Sequence, residues 1–105
     1  MGNNPATGPL TGVKTRDQTR TKEPSLYRVL LHNDDFTTMD FVVQILVQVF
    51  QRSAAEATQL MLDVHHKGAG TAGVYTYDIA MSKVMQVHHL AEINKYPLRC
   101  SIKKA

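Results

Sequence analysis

A short polar run and one distant histidine are the residues of this sequence best suited to bind a small cationic group. Asn33, Asp34 and Asp35 follow directly after an apolar segment, and His65 lies in a later helical pattern. Carboxylate and amide oxygens accept hydrogen bonds from an ammonium group, and a neutral imidazole accepts one through its free nitrogen. If the fold brings these side chains together, they can surround an amine.

Apolar residues near this polar set predict a slot for a side chain beside the amine; they are Met39, Val42, Met61 and Val64. A simpler structure fits the same residue types. In that structure the polar run forms only a turn, and His65 is a half-buried helix residue. Because turns rich in Asp and Asn are common, the residue types alone favour this simpler interpretation.

Metal and catalytic sites find less support in the sequence. Two pairs of adjacent histidines occur, at 65–66 and 88–89, but neighbours on a helix diverge by about 100° and cannot face one ion. The chain has no HExxH or CxxC spacing and no serine in a Gly-x-Ser-x-Gly turn. Cys100, the single cysteine, is expected to be a small buried residue of a strand. We therefore expect no metal, no cofactor and no enzymatic activity.

The elements that position these residues follow from the periodicity of the apolar side chains. Alternation predicts a strand at Leu26–His32, and Thr37 or Thr38 can cap a helix from Met39 to about Arg52. A capping box at residues 53–56 begins a second helix, which ends at Lys67 before a glycine. Further along we expect a loop at 68–73, a short strand at 74–77, a third helix capped by Asp78 and ending near Asn94, and a last strand in which Leu98, Cys100 and Ile102 point inward.

The resulting order β-α-α-β-α-β predicts fold class α+β. We expect a three-stranded antiparallel sheet with three helices packed on one face and the first strand in the centre, since a helical crossover joins the other two strands. Residues 1–25 are rich in Gly, Pro and Thr and poor in large apolar groups, so we expect a disordered tail followed by a core domain at 26–105.

Composition limits the remaining classes of function. The chain has 105 residues, enough for one domain, and no apolar run as long as a transmembrane helix or a secretory signal. Its net charge of +3 lies at the two chain ends, while residues 26–98 are net negative, so no basic face is expected along the body. We expect a cytoplasmic protein that binds neither nucleic acid nor membranes.

Three segments resemble the ClpS family of adaptor proteins. Residues 30–42, LLHNDDFTTMDFV, are similar to the family signature in which a strand leads into Asn-Asp-Asp-aromatic-Thr-Pro-Met-acidic-Phe-Val. Residues 57–68, ATQLMLDVHHKG, resemble its second helix, and residues 97–100, PLRC, resemble the start of its last strand. The resemblance covers residues 26–105, and it reverses the preference for the simpler interpretation above.

The resemblance implies an adaptor that binds proteins through a bulky first residue, Leu, Phe, Tyr or Trp, and delivers them to a Clp protease. Asn33, Asp34, Asp35 and His65 would bind the free α-amino group. The pocket for the first side chain would be lined by Thr37, Met39, Val42, Met61, Val64 and Leu98, with Met39 as the gatekeeper against β-branched side chains.

The resemblance also implies partners. Asp78 and Lys83 would dock on the N-terminal domain of a ClpA- or ClpC-type AAA+ unfoldase, the tail would engage that unfoldase during handover, and the adaptor would act as a monomer. Two residues depart from the family pattern: Thr38 replaces the usual proline, which is expected to loosen the pocket rim, and Met81 replaces an acidic residue. A ribosomal-stalk-like interaction domain is the alternative for this fold.

Overall fold

The structure is a computed structural model that describes residues 23–105, so most of the predicted tail at 1–25 lies outside the described residues. The elements are β1 (Leu26–His32), α1 (Met39–Gln48), α2 (Ala54–Lys67), β2 (Ala69–Thr76), α3 (Tyr77–Ile93) and β3 (Arg99–Lys104). This is the predicted order β-α-α-β-α-β. No helix in the described part of the chain combines the length and hydropathy needed to cross a bilayer.

The sheet has the strand order β2-β1-β3, with β1 antiparallel to both neighbours. Val29 and Leu31 of β1 are completely buried, which places the helices on a single face of the sheet. The register of β1 against β2 shifts between Val29 and Leu30, where a bulge interrupts the ladder. The predicted class α+β and the central position of the first strand are both confirmed.

Side-chain caps begin the first two helices. The Thr38 hydroxyl accepts a hydrogen bond of 3.1 Å from the N–H of Phe41, so Thr38 rather than Thr37 is the cap of α1. Ser53 and Glu56 form the predicted capping box, with both hydrogen bonds at 3.1 Å. Gly68 ends α2 with φ of 90°, a left-handed conformation that glycine adopts without steric penalty.

Two cations stabilise the end of α1 against the sheet and α3. The guanidinium of Arg52 donates two hydrogen bonds, of 2.9 and 2.7 Å, to the carbonyl of Ala72. The ammonium of Lys83 donates to the carbonyl of Val49 at 2.7 Å. Lysine near the last carbonyls of a helix satisfies groups that have no partner within the helix.

Three predicted boundaries are wrong. The first helix ends at Gln48 rather than near Arg52, because the chain turns there and Gln51 has a positive φ of 53°. The predicted loop at 68–73 belongs mostly to β2, because pairing with β1 overrides the weak strand propensity of its small residues. Thr76, not Asp78, is the cap residue of α3, and Asp78 lies in the first turn, where a negative charge complements the helix dipole.

The register also corrects the expected distribution of charge. Arg28 lies directly opposite Lys103, and His32 lies opposite Arg99, across the β1–β3 pair. The basic C-terminal residues therefore share one face of the sheet with basic residues of the first strand. The expectation that no basic face runs along the body is wrong, because it considered only the order of charges along the chain.

Candidate functional site

A cavity of about 240 Å³ opens where β1 ends, between the loop that follows it, the start of α1 and the end of α2. It is lined by Asn33, Asp34, Asp35, Thr37, Met39, Val42, Met61, Val64 and His65. Its volume lies just below the roughly 300–1,000 Å³ of pockets that bury a drug-sized molecule. The cavity therefore suits one large side chain together with a small polar group.

The apolar side of the cavity comes from two helices. Met39 and Val42 are three residues apart on α1, and Met61 and Val64 have the same spacing on α2, so each pair shares one helix face. Met39 is 44% exposed and lies at the opening, whereas Val64 is only 3% exposed. A Cβ on Gly70 would come within 2.9 Å of Val64 Cγ2, which shows how closely β2 packs against this side.

The polar side of the cavity joins the loop after β1 to the end of α2. The N–H of Asn33 donates a hydrogen bond of 2.9 Å to the carbonyl of Gly68. His65 lies one helical turn before Gly68, and its side chain is exposed. Asn33 and His65 are distant in sequence, and this backbone contact places them beside the same cavity.

Asp34 organises the loop with its own carboxylate. One oxygen accepts hydrogen bonds from the N–H groups of Phe36 at 2.8 Å and Thr37 at 2.7 Å, and the other accepts from the Thr37 hydroxyl at 2.7 Å. Burial alone would raise the pKa of Asp34, but its hydrogen bonds to Thr37 and Phe36 outweigh that effect and lower the pKa below its ordinary value of 3.8. The carboxylate is therefore ionised at neutral pH and already engaged within the protein.

Asp35 differs from its neighbour. It is exposed, and its carboxylate forms no hydrogen bond or ion pair with the residues at 23–105. The cavity lining contains no Lys or Arg. With Asp35, Asn33 and His65 all able to accept hydrogen bonds, the polar side can bind a primary ammonium, and the apolar side can bind a hydrocarbon group next to it.

Chemistry of other kinds has no comparable centre in the described part of the chain. No group of three or more His, Cys, Asp or Glu side chains within residues 23–105 is arranged to hold a metal ion. Cys100 is buried in β3, and desolvation raises its pKa to about 12, so it remains a thiol at neutral pH. A protonated, buried thiol is a poor nucleophile.

The structure brings most of the predicted binding residues together. Leu98 is the exception, because it is buried in the core and does not line the cavity. The simpler interpretation of the polar run is correct for Asp34, which forms a turn, and wrong for His65, which is exposed rather than half-buried. Nothing in the sequence distinguished Asp34 from Asp35, because their difference lies in side-chain direction.

The two predicted docking residues lie on α3, and neither lines the cavity. Asp78 is exposed and lines a separate open cleft with Tyr27 and Tyr77. Lys83 is half-buried, and its ammonium contacts Gln51 at 3.2 Å in addition to the end of α1. The roles of both residues in docking stay predictions.

Thr38 does not leave the rim of the cavity unsupported. Its φ of −72° and ψ of 152° fall where proline would hold the chain, and its hydroxyl caps α1. The same hydroxyl lies 3.4 Å from the hydroxyl of Tyr96, whose ring packs against Phe41 at a centroid distance of 4.7 Å. The looser rim expected from the missing proline stays a prediction.

Comparison with known proteins gives a consistent result. The family model described as "ATP-dependent Clp protease adaptor protein ClpS" matches residues 22–101. A protein of Syntrophus aciditrophicus named ATP-dependent Clp protease adapter protein ClpS is 65% identical over 80 residues, which cover 76% of this chain and 75% of the relative. A protein of the same name from Desulfotalea psychrophila is 56% identical over 90 residues, 86% of this chain and 88% of that one.

A solved structure has the same fold. Agrobacterium tumefaciens ClpS2 bound to L-phenylalaninamide superimposes with a TM-score of 0.76 and 31% sequence identity. The match covers 79% of this chain and 100% of the Agrobacterium tumefaciens chain.

Replacing Asp34 by Asn tests whether its carboxylate stabilises the loop. The amide keeps only one acceptor oxygen and no charge, so Asp34→Asn should lower the free energy of unfolding at pH 7 by about 1 kcal/mol. Because the folded pKa is lowered, the stabilisation is complete above the unfolded pKa and is lost as pH falls through the folded value. The difference between wild type and variant should therefore shrink between pH 7 and pH 2 in urea titrations.

Asp35→Asn is the matched control in the same loop, because the Asp35 carboxylate has no hydrogen-bond partner among the described residues. It should leave the free energy of unfolding unchanged. A difference for Asp34→Asn that stays constant across this pH range would contradict the proposed role of its charge.

Proposed function

The chain belongs to the ClpS family of ATP-dependent Clp protease adaptor proteins, and on that premise we propose that it is an adaptor and not an enzyme. It captures proteins by a free α-amino group and a bulky hydrophobic first residue: Leu, Phe, Tyr or Trp. It then delivers them to a ClpA- or ClpC-type unfoldase for degradation by the Clp protease. The observation that carries this proposal is the convergence of hydrogen-bond acceptors and apolar side chains on one cavity.

The α-amino group binds on the polar side of the cavity. An ammonium has three N–H donors, and Asn33, Asp35 and His65 offer an amide oxygen, a carboxylate and an imidazole nitrogen as acceptors. Asp34 acts as a positioning residue, because its hydrogen bonds to Thr37 and Phe36 fix the loop from which its neighbours project. An acetylated amino terminus has lost its charge and two of these donors, so it should not bind.

The first side chain of the captured protein enters the apolar side of the cavity. L-Phenylalaninamide, the molecule bound to Agrobacterium tumefaciens ClpS2, has a free amine and a benzyl group, and its amide stands for the next peptide bond. The cavity of this chain has a polar side that suits the amine and an apolar side that suits the benzyl group. Met39 lies at the opening, where the bulk of its side chain excludes first residues that are branched at Cβ.

Docking on the N-terminal domain of the unfoldase uses α3, with Asp78 and Lys83 as the contact residues. That α3 contributes no residue to the cavity lining supports the binding of substrate and unfoldase at the same time. We further propose that residues 1–25 form the segment that engages the unfoldase during handover, and that the adaptor acts as a cytoplasmic monomer. A ribosomal-stalk-like interaction domain would leave the cavity without a role.

His65→Ala tests amine recognition. Losing one partner of a charged group that is withdrawn from water costs about 2–5 kcal/mol, so affinity for a Leu-initiated peptide should fall about 30-fold or more. Fluorescence anisotropy with a dye at the peptide's carboxyl end measures this, and the acetylated peptide should not bind either protein. His66→Ala is the control, because His66 is exposed beside His65 but does not line the cavity. Normal peptide binding by His65→Ala would contradict the proposed role of His65 in amine recognition.

Met39→Ala tests the side-chain pocket. Removing the larger side chain at the opening should admit peptides that begin with Ile or Val, which the wild type excludes. A methyl-scale difference in a packed slot is worth about 1–3 kcal/mol, or roughly a 5- to 150-fold change in relative affinity. Met85→Ala is the control, because Met85 is 68% exposed on α3, away from the cavity. Unchanged discrimination would mean that Met39 does not contact the first residue.

Asp78→Ala tests docking separately from capture. An exposed charge at the rim of an interface mainly affects the association rate, so binding to the unfoldase N-terminal domain should weaken several-fold and become less sensitive to salt. Affinity for Leu-initiated peptides should stay the same. Glu92→Ala, an exposed acidic residue near the other end of α3, should change neither measurement. Equal effects of the two variants would place the docking surface elsewhere.

A further inference from the structure

The face of the sheet that points away from the helices carries positive charge that the capture function does not use. Val29 and Leu31 point into the core, so Arg28, Leu30 and His32 of β1 point outward. On β3 the outward residues are Arg99, Ser101 and Lys103, since Cys100 and Ile102 pack inward. We call these six outward residues of β1 and β3 the outer sheet face.

The arrangement of charge on the outer sheet face disfavours folding. Arg28 lies directly opposite Lys103, and like charges in a direct cross-strand pair are destabilising. Arg99, a third cation on this face, lies opposite His32. On β2, the strand on the other side of β1, the residues opposite Arg28 and Leu30 are Val74 and Thr71, which carry no charge. Within residues 23–105 the ion pair that forms is between Lys67 and Asp63, elsewhere on the surface. The described part of the chain therefore does not neutralise this face.

Protection of a sheet edge explains only part of this charge. Natural proteins place Lys and Arg on edge strands to discourage pairing with other chains. This accounts for Arg99 and Lys103, because β3 is an edge strand. It does not account for Arg28 and His32, because β1 is the central strand and has both of its edges paired.

We propose that the outer sheet face is a docking surface for an acidic polypeptide segment. The two basic pairs are four residues apart along each strand, which is about 13 Å at 3.3 Å per residue. An extended segment with carboxylates four residues apart matches that separation. Between the pairs, half-buried Leu30 and the hydroxyl of Ser101, which lies 2.7 Å from His32 Nε2, suit an apolar or neutral side chain.

The residue types favour a polypeptide over a nucleic acid. Proteins that bind single strands without sequence preference stack bases on aromatic side chains. Tyr27 and Tyr75, the aromatic residues of β1 and β2, form a cross-strand pair on the opposite, core-facing side of the sheet. The outer sheet face thus combines cations with aliphatic and hydroxyl groups and carries no Phe, Tyr or Trp. None of its residues lines the capture cavity, so this surface is distinct from the proposed capture site.

The test uses the full chain and an acetylated, dye-labelled peptide with two Glu residues four positions apart around a Leu. Acetylation prevents capture by the amine site. The peptide should bind with an affinity that falls as salt is raised, and a matched peptide with Lys in place of Glu should not bind. Arg28→Gln/Lys103→Gln should weaken binding by about three- to tenfold, as expected for two exposed charge contacts. Lys67→Gln/Lys95→Gln, which removes two exposed cations outside the sheet, should have no effect.

Lys103→Glu separates docking from folding. In this variant a glutamate lies opposite Arg28, so the cross-strand pair has opposite charges. The thermal midpoint of the variant should therefore equal or exceed that of the wild type, whereas the acidic peptide should no longer bind. Capture of Leu-initiated peptides should persist in every variant. Unaltered acidic-peptide binding by Lys103→Glu, or equal binding of the Lys peptide, overturns the proposal. Salt-sensitive binding of a single-stranded oligonucleotide without binding of the acidic peptide replaces it with a nucleic-acid surface.

Discussion

One backbone hydrogen bond, from the N–H of Asn33 to the carbonyl of Gly68, joins the two segments that form the polar side of the cavity. Gly68 ends α2 in a left-handed conformation, and β2 begins at the next residue, where Ala69 pairs with His32. The same short segment thus ends one helix, begins one strand and contacts the loop after β1. Because His65 lies one turn before Gly68, this contact holds the helix end that carries His65 next to the loop that carries Asn33.

The two adjacent carboxylates of the loop after β1 differ in their hydrogen bonding. Asp34 bonds to Phe36 and Thr37 within its own loop, whereas Asp35 has no partner among the described residues. A loop that is ordered before binding loses less conformational entropy when a ligand arrives. The lowered pKa of Asp34 means that its carboxylate is ionised and holds these hydrogen bonds at neutral pH, so the proposed amine-binding loop is ordered before a ligand arrives.

Local patterns predicted the elements and most of the cavity, because periodicity and caps are properties of neighbouring residues. The contacts between distant segments could not be predicted in the same way. β2 begins at Ala69 because it pairs with β1, although Ala, Gly and Thr at its start gave no strand signal. Leu98 was correctly expected to point inward, but inward there means the core rather than the cavity. The basic sheet face depends on a register that no single segment contains.

The entry to α1 shows how a different residue can preserve the same rim. Proline at position 38 would restrict the unfolded chain, which typically stabilises a protein by about 0.4–1 kcal/mol where the native φ allows it. Thr38 lacks that restriction, but its hydroxyl caps Phe41 N–H, and an N-cap side chain typically contributes about 0.5–2 kcal/mol. Proline has no side-chain acceptor with which to form this bond. The two contributions are of similar size, so the threonine maintains the helix start, and the position of Met39 one residue later, by a different physical route.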